Sequence, residues 1–254
     1  MTSPLTFPHY TDKHRSPPLF TALDFHRYVA RRTGELPPRV PSGIVLVFGR
    51  RWERYLRRRF GGMRDRRTGV YRANATVGVS EVGGPGAPHL AIEVEELAAL
   101  GARRFVIVGL AGSLQSRVPA GAFVVCSKAL RDEGTSHHYR RPEPFARPSA
   151  RLTAKLRSEL RKETVTFFEG PSWTIDAPYR ETVAEVRHYR RAGILTVEME
   201  AAALFTVVRH LGGGAAALFV ISDHLDEKGW QPQFHRTPGA LRRGLEIAIA
   251  VARG

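Results

Sequence analysis

"FVIVGLAG", residues 105–112, runs almost without a polar side chain into a pair of spaced glycines. A strand solvated on one face alternates apolar and polar residues. A run this continuous is apolar on both faces, which suits a strand covered by helices above and below. Five other runs share the character: "IVLVF" (44–48), "ATVGVSEV" (75–82), "AFVVCS" (122–127), "TVTFFEG" (164–170) and "AAALFVISD" (215–223). Helical patterns separate several of them. "HLAIEVEELAALG" (89–101) places Leu90, Val94, Leu97 and Ala98 on one face and stops at Gly101, a residue suited to the left-handed turn after a helix. "PGALRRGLEIAIAVA" (238–252) does the same with Leu241, Leu245, Ala248, Ile249 and Ala252. The alternation predicts an α/β fold with a mixed or parallel sheet between helices. No repeat or low-complexity linker divides the chain, so one domain is expected over residues 41–254, preceded by an arm at 1–40.

Composition sets the surroundings. A chain of 254 residues that is 43% hydrophobic can bury a large core. Its one cysteine, Cys126, excludes an internal disulfide and a thiol-based zinc site. The start, "MTSPLTFPHYTDKHRSPPLF", is polar and proline-rich, and no later window approaches the ~20 apolar residues of a membrane span, so a cytoplasmic protein is expected. The formal charge is +15, from 39 basic residues of which five are lysines. Nine arginines crowd into "GRRWERYLRRRFGGMRDRRTG" (49–69), which reads either as solvated surface or as an anion site. The anion reading has a geometric basis, because a strand ends at Gly49 and a helix starts just after it, where free N–H groups and guanidinium forks converge.

In open α/β sheets, ligands bind beyond the carboxyl ends of the strands. That rule singles out Gly49, "GLAGSLQ" (109–115), "GPSWT" (170–174) and "SDH" (222–224) as walls of one cleft. A further stretch, "GILTVEMEAAALF" (193–205), sets Glu198 and Glu200 around Met199 in an apolar run. A buried, unpaired carboxylate costs several kcal/mol or takes up a proton. Each acid therefore has a buried partner, or the segment borders a cavity.

Together these segments resemble the nucleoside phosphorylase I family across residues 40–254. "TVEMEAAALF" is similar to the family's Glu-Met-Glu segment. "GGPGAPHLAIEVEELAALG", "VGLAGSLQSRVPAGAFVV" with its Gly-X-X-Gly turn, "RDEGTSHHY" and "VISDH" stand in the family's order. The resemblance implies a single-domain, three-layer α/β/α fold with a central mixed, partly barrel-like sheet. It implies a homodimer, or a hexamer built from dimers, that cleaves the N-glycosidic bond of a nucleoside without a metal or other cofactor. Phosphorolysis of a purine-type nucleoside to free base and ribose 1-phosphate, with inorganic phosphate as co-substrate, is the first expectation. A nucleosidase using water, a uridine phosphorylase-like activity and a non-catalytic nucleoside or nucleotide binder are the alternatives. A nucleic-acid partner, suggested by charge alone, is disfavoured.

The resemblance also implies roles. Glu200 would accept the ribose 2′- and 3′-hydroxyls and stabilise the positive charge that develops on the ring, while Met199 packs on sugar and base. Glu198 would contact the sugar, or pair with an arginine such as Arg180 or Arg190. Asp223, beside Ser222, would protonate or hydrogen-bond N7 of the departing base, or else cap a following helix. Trp173 would stack on the base, with Thr174 and Ile175 along the wall, or else fill the core. Tyr179 and Arg180 would brace this loop, and Ala111 and Gly112 would line the nucleoside. Phosphate contacts fall to Gly49, Arg50, Arg66 and Ser113, with Arg66 resembling an arginine lent to a neighbouring subunit. Two positions depart from the phosphorylase pattern: Ile107 replaces an arginine and Leu110 a hydroxyl residue. Glu53 is approximately placed for the water-activating glutamate of nucleosidases. His137 and His138 lack metal-ligand spacing; His137 or Tyr139 would touch ribose, a neighbour or solvent, and His224 would tune Asp223 or point inward.

Overall fold

In a computed structural model of the chain, residues 7–10, 13–49, 51–61 and 64–253 are described. The elements follow in the order α1 (Ala22–Thr33), β1 (Gly43–Phe48), α2 (Arg51–Phe60), β2 (Tyr71–Arg72), β3 (Val77–Val82), α3 (Ala87–Ala99), β4 (Arg104–Ser113), β5 (Phe123–Asp132), β6 (Phe145–Ala146), α4 (Ala150–Lys162), β7 (Phe167–Ile175), α5 (Val183–Arg191), β8 (Thr196–Glu198), α6 (Ala201–His210), β9 (Gly214–Asp226), β10 (Gly229–Pro232) and α7 (Pro238–Ala252). The strands form one mixed sheet in the order β10-β9-β5-β7-β8-β4-β1-β3-β2, with β6 on β5. An additional pairing of β4 with β9 joins β4, β9, β5, β7 and β8 in a closed circuit.

Alternate residues of the central strands feed two cores. Ile44, Leu46, Phe105, Ile107, Ala217 and Phe219 face α3 and α6. Val45, Val47, Val106, Val108, Leu218 and Val220 face α2, α4 and α7. Each fully buried aliphatic side chain contributes about 1.5–3 kcal/mol relative to exposure, and the doubled apolar pattern of these strands makes three layers. The helical face read around Leu90 is buried in α3, with Gly101 at φ +115 just beyond its end.

The strands outrun their apolar stretches. β7 does not begin at Thr164, which takes φ +51 in the turn after α4, but runs from Phe167 through the expected loop "PSWT" to Ile175. Likewise β9 continues through Asp223 to Asp226, so Asp223 is a strand residue and caps no helix. "GLAG" is strand rather than turn, with a register shift where Ala111 and Gly112 meet Ile221 and Asp223. Gly112 is required there: a Cβ would lie 2.4 Å from Leu225, 3.0 Å from Asp223 Oδ2 and 3.2 Å from Val197.

Several described residues before 41 lie against the rest of the chain. α1 packs on α3, His14 Nε2 is 2.8 Å from the His137 carbonyl, and Arg67 donates to the Leu36 carbonyl at 2.7 Å.

Candidate active site

The two acids around Met199 have different surroundings. Glu198, at the end of β8, is buried, and its carboxylate receives four donors. One oxygen takes the hydroxyls of Thr174 (2.6 Å) and Ser172 (3.0 Å); the other takes the backbone N–H groups of Glu200 (2.8 Å) and Ala201 (2.7 Å). Thr174 Oγ1 in turn accepts the N–H of Ala202 at 3.1 Å. Glu198 and Thr174 thus cap α6, whose first N–H groups have no partner within the helix. Among the described residues no arginine pairs with Glu198, Arg180 being exposed; the carboxylate is taken up by the helix start. Burial pushes its carboxyl above the ordinary range, against these donors.

Glu200 opens α6 and points to the start of another helix. Its Oε1 accepts the N–H of Gly86, the residue before α3, at 2.7 Å. Gly86 takes φ +108, and the Met199 methyl stands 3.9 Å from where its Cβ would be. Burial, then the charge of Glu198, push the Glu200 carboxyl up to about 8. Two helix starts therefore surround a carboxylate that no ion pair holds.

Asp223 stands on the other side of the β4 end, beside Gly112. Its Oδ1 accepts the Ser222 hydroxyl at 2.5 Å and its Oδ2 accepts the Trp230 indole N–H at 2.9 Å. Trp230 lies on β10, an exposed strand hairpinned onto β9, with its ring 6.3 Å from Phe234. Glu181, in the turn before α5, is a second acid here: burial and then the charge of Asp223 push it up to about 7. Its position is fixed by the Thr182–Glu185 capping box and by Arg187, which binds Glu227 in the β9–β10 turn at 3.1 Å. Trp230 and Glu181 escaped the sequence analysis; the signal for Glu181 was only an acid within "PYRET", beside the loop already singled out. His224 points away from Asp223, with Nε2 2.9 Å from the Val118 carbonyl.

Trp173 has no open face for a base. It is fully buried among Leu114, Ile175, Val186 and Val197, its N–H donates to Asp132 at 2.8 Å, and Tyr189 lies 4.6 Å away. The expected loop is a strand, and its alternation turns Trp173 inward. Ile175 is buried with it, while Thr174 serves the α6 cap; Tyr179 is fully exposed. Ala111 and Ser222 meet at the β4–β9 pair, where the serine hydroxyl lies 3.4 Å from the Ala111 carbonyl.

Three of the four phosphate candidates lie among the described residues. Gly49 follows β1 at φ +86 with open space around its Cβ position. Arg50 lies outside the described residues. Arg66 is exposed on a turn organised by Asp65, whose side chain accepts the N–H groups of Arg67 and Thr68. The Ser113 hydroxyl is buried and engaged with the backbone of Gln115. Ile107 is fully buried toward α3 and α6, and Leu110 packs toward α7 on the opposite face. Near the ends of β1 and β3, burial and then the charge of Glu53 raise the Glu81 carboxyl, while Arg64 lowers it. Glu53 itself pairs with Arg57 at 3.8 Å. His137 Nε2 meets the Arg131 carbonyl at 3.2 Å, and Tyr139 packs on His210; among the described residues no group of three His, Cys, Asp or Glu is placed to hold a metal.

Residues 53–242 match the Phosphorylase superfamily. A guanosine phosphorylase of Halorubrum lacusprofundi is 34% identical over 171 residues, covering 66% of this chain and 70% of that protein. A uridine phosphorylase of Treponema pallidum is 35% identical over 177 residues, covering 64% and 69%. Among solved structures, an AMP nucleosidase from Bacteroides thetaiotaomicron superposes with a TM-score of 0.73 over 92% of this chain and 97% of its own, at 20% identity, a likeness of fold.

Proposed function

Because the chain belongs to the phosphorylase superfamily, we propose that it cleaves the N-glycosidic bond of a purine-type nucleoside with inorganic phosphate, releasing free base and ribose 1-phosphate. Membership makes it an enzyme of the nucleoside phosphorylase type, and its own residues point to the base and the nucleophile. The observation that carries the purine reading is the acid pair Asp223 and Glu181 at one end of the site. A purine anion leaves poorly until N7 gains a proton. Glu181 holds a proton close to neutrality that N7 can take up as the base departs, and Asp223, oriented by Ser222 and Trp230, presents a carboxylate that accepts the N7–H once it has formed. At the other end Glu200 binds the ribose hydroxyls. Its charge develops its full stabilising effect when the ring turns oxocarbenium-like, and the N–H of Gly86 keeps the carboxylate oriented.

Phosphate is assigned to the end of β1, at Gly49, with Arg50 from the same segment and Arg66 supplied by a second copy of the chain. The assembly is proposed to be a homodimer, or a hexamer of dimers, working in the cytoplasm without a cofactor. The guanosine phosphorylase relative supports the purine assignment and the uridine phosphorylase relative the competing one. A second reading, hydrolysis, is favoured by two acids close enough to interact, Glu53 and Glu81, and by apolar side chains at 107 and 110. One experiment separates all three: inosine, guanosine, adenosine and uridine incubated with and without phosphate, read for free base. Purine release that requires phosphate is expected. Preference for uridine overturns the base assignment, and full release without phosphate assigns the nucleophile to water.

A further inference from the structure

A cleft of about 670 Å³ lies between α2 and α7, against the sheet face opposite α3 and α6. Arg51, Arg54, Arg58 and Arg242 line it, with Tyr55 and Arg59 between them. Two arginines of α2 are neutralised: Arg57 by Glu53, and Arg59 by Glu246 through two hydrogen bonds of 3.0 and 3.3 Å. Arg51, Arg54 and Arg58 have no acid partner among the described residues. Their spacing of three and four residues sets them on one face of the helix, over a length of about 10 Å. Like charges so spaced destabilise a helix, and within a concave wall they add to one focused field. The acid of α7, Glu246, is taken by Arg59, and the contribution of α7 to the cleft lining is Pro238, Leu241 and Arg242.

We propose that this cleft is a second ligand site, separate from the glycosidic-bond site, for a linear oligophosphate: the triphosphate of a nucleotide, or inorganic triphosphate. Guanidinium forks bind phosphate oxygens in pairs, and a row of three, with a fourth across the cleft, exceeds what a single tetrahedral phosphate can reach. A chain of phosphates spans them. A nucleic-acid strand fits less well, since such surfaces present open aromatic faces for stacking. Here Trp52 is buried, and Tyr55 already carries the Arg242 guanidinium 5.7 Å from its ring centre. The volume lies in the range of small-molecule pockets.

The test is calorimetric titration of the full chain at about 0.15 M salt with inorganic triphosphate, ATP, orthophosphate and a thymidine oligonucleotide. One saturable site per chain is expected for triphosphate, with orthophosphate weaker by at least about tenfold. ATP binding like triphosphate makes the phosphate chain alone the ligand; ATP binding tighter makes it a nucleotide. The double substitution Arg54→Glu, Arg58→Glu should weaken triphosphate by more than about tenfold and leave nucleoside cleavage unchanged. Arg31→Glu, Arg32→Glu, exposed on α1 and equal in charge, should bind as the native chain does. Should the first pair fail to fold, Arg54→Lys, Arg58→Lys keeps the charge and loses the forks, and a clear drop in affinity is still expected. Equal loss in the α1 pair, undiminished binding in the lysine pair, displacement of triphosphate by the oligonucleotide at equal phosphate concentration, or no saturable binding would each overturn the proposal.

Discussion

At the scale of single residues, Glu198 and Glu200 should respond in opposite ways to the same change. Glu198→Gln replaces an acceptor that four donors use with an amide that turns N–H groups toward two of them. Each stranded donor costs about 1–3 kcal/mol, so Tm should fall by several degrees. Glu200→Gln mimics the protonated acid that burial already favours. The folded-state value of about 8 exceeds the unfolded ~4.3, so the folded chain binds the proton more tightly, and stability declines as pH rises between those two values. The glutamine variant should therefore melt near the native temperature around pH 4 and above it around pH 9, while kcat/KM falls by orders of magnitude. Thermal melts at both pH values check the pair; a pH-independent difference would contradict the buried-proton account. Loss of turnover without loss of stability would mark Glu200 as a group kept for chemistry at the expense of the fold.

At the scale of elements, the β9–β10 hairpin and the turn before α5 together hold the acid end of the site. If Glu181 supplies the proton, kcat/KM for a purine nucleoside should decline above about pH 7 as it ionises, and Glu181→Gln should lower the rate and remove that limb. Trp230→Phe keeps a ring beside Phe234 but deletes the donor to Asp223; kcat should drop with the pH profile retained. A nitrophenyl riboside, whose leaving group needs no proton, should be spared by both. An unchanged profile in Glu181→Gln would place the proton elsewhere. These two elements also mark where sequence reading stops. Strands buried on both faces and helices such as α7, whose bounds match residue for residue, are legible because apolar periodicity is local. The closed circuit of strands is not: it admits Ser172 and Thr196, which bond to each other, and Thr174, which together with Ser172 donates to Glu198, so polar stretches read as loops while the chain stays extended. The same error turned Trp173, buried in a small core, toward the expected base. Asp223 could be singled out at a strand end, but Trp230 and Glu181 reach it only through tertiary folding.

At the scale of the whole molecule, the shared-site proposal makes a prediction about mixtures. Arg66→Ala and Glu200→Gln proteins, each inactive, should after subunit exchange recover up to about a quarter of native activity, since half the dimers are mixed and each mixed dimer has one intact site. No recovery after confirmed exchange would mean that Arg66 serves no neighbour. One feature of the sheet reaches further. β4 and β9 pair from Arg104 with Gly214 onward, 110 residues apart in the chain, and the acid end of the site straddles that seam. A ribosome adding about 5–20 residues per second presents β4 well before its partner exists, with an edge of ten residues, apolar from Phe105 to Gly112, open to other strands. Such long-range closure is slow and leaves an edge that invites aggregation. The seam therefore ties the proposed site to the late part of synthesis: a chain halted between residues 201 and 213 holds Glu200 but not Asp223, and leaves the β4 edge without its β9 partner.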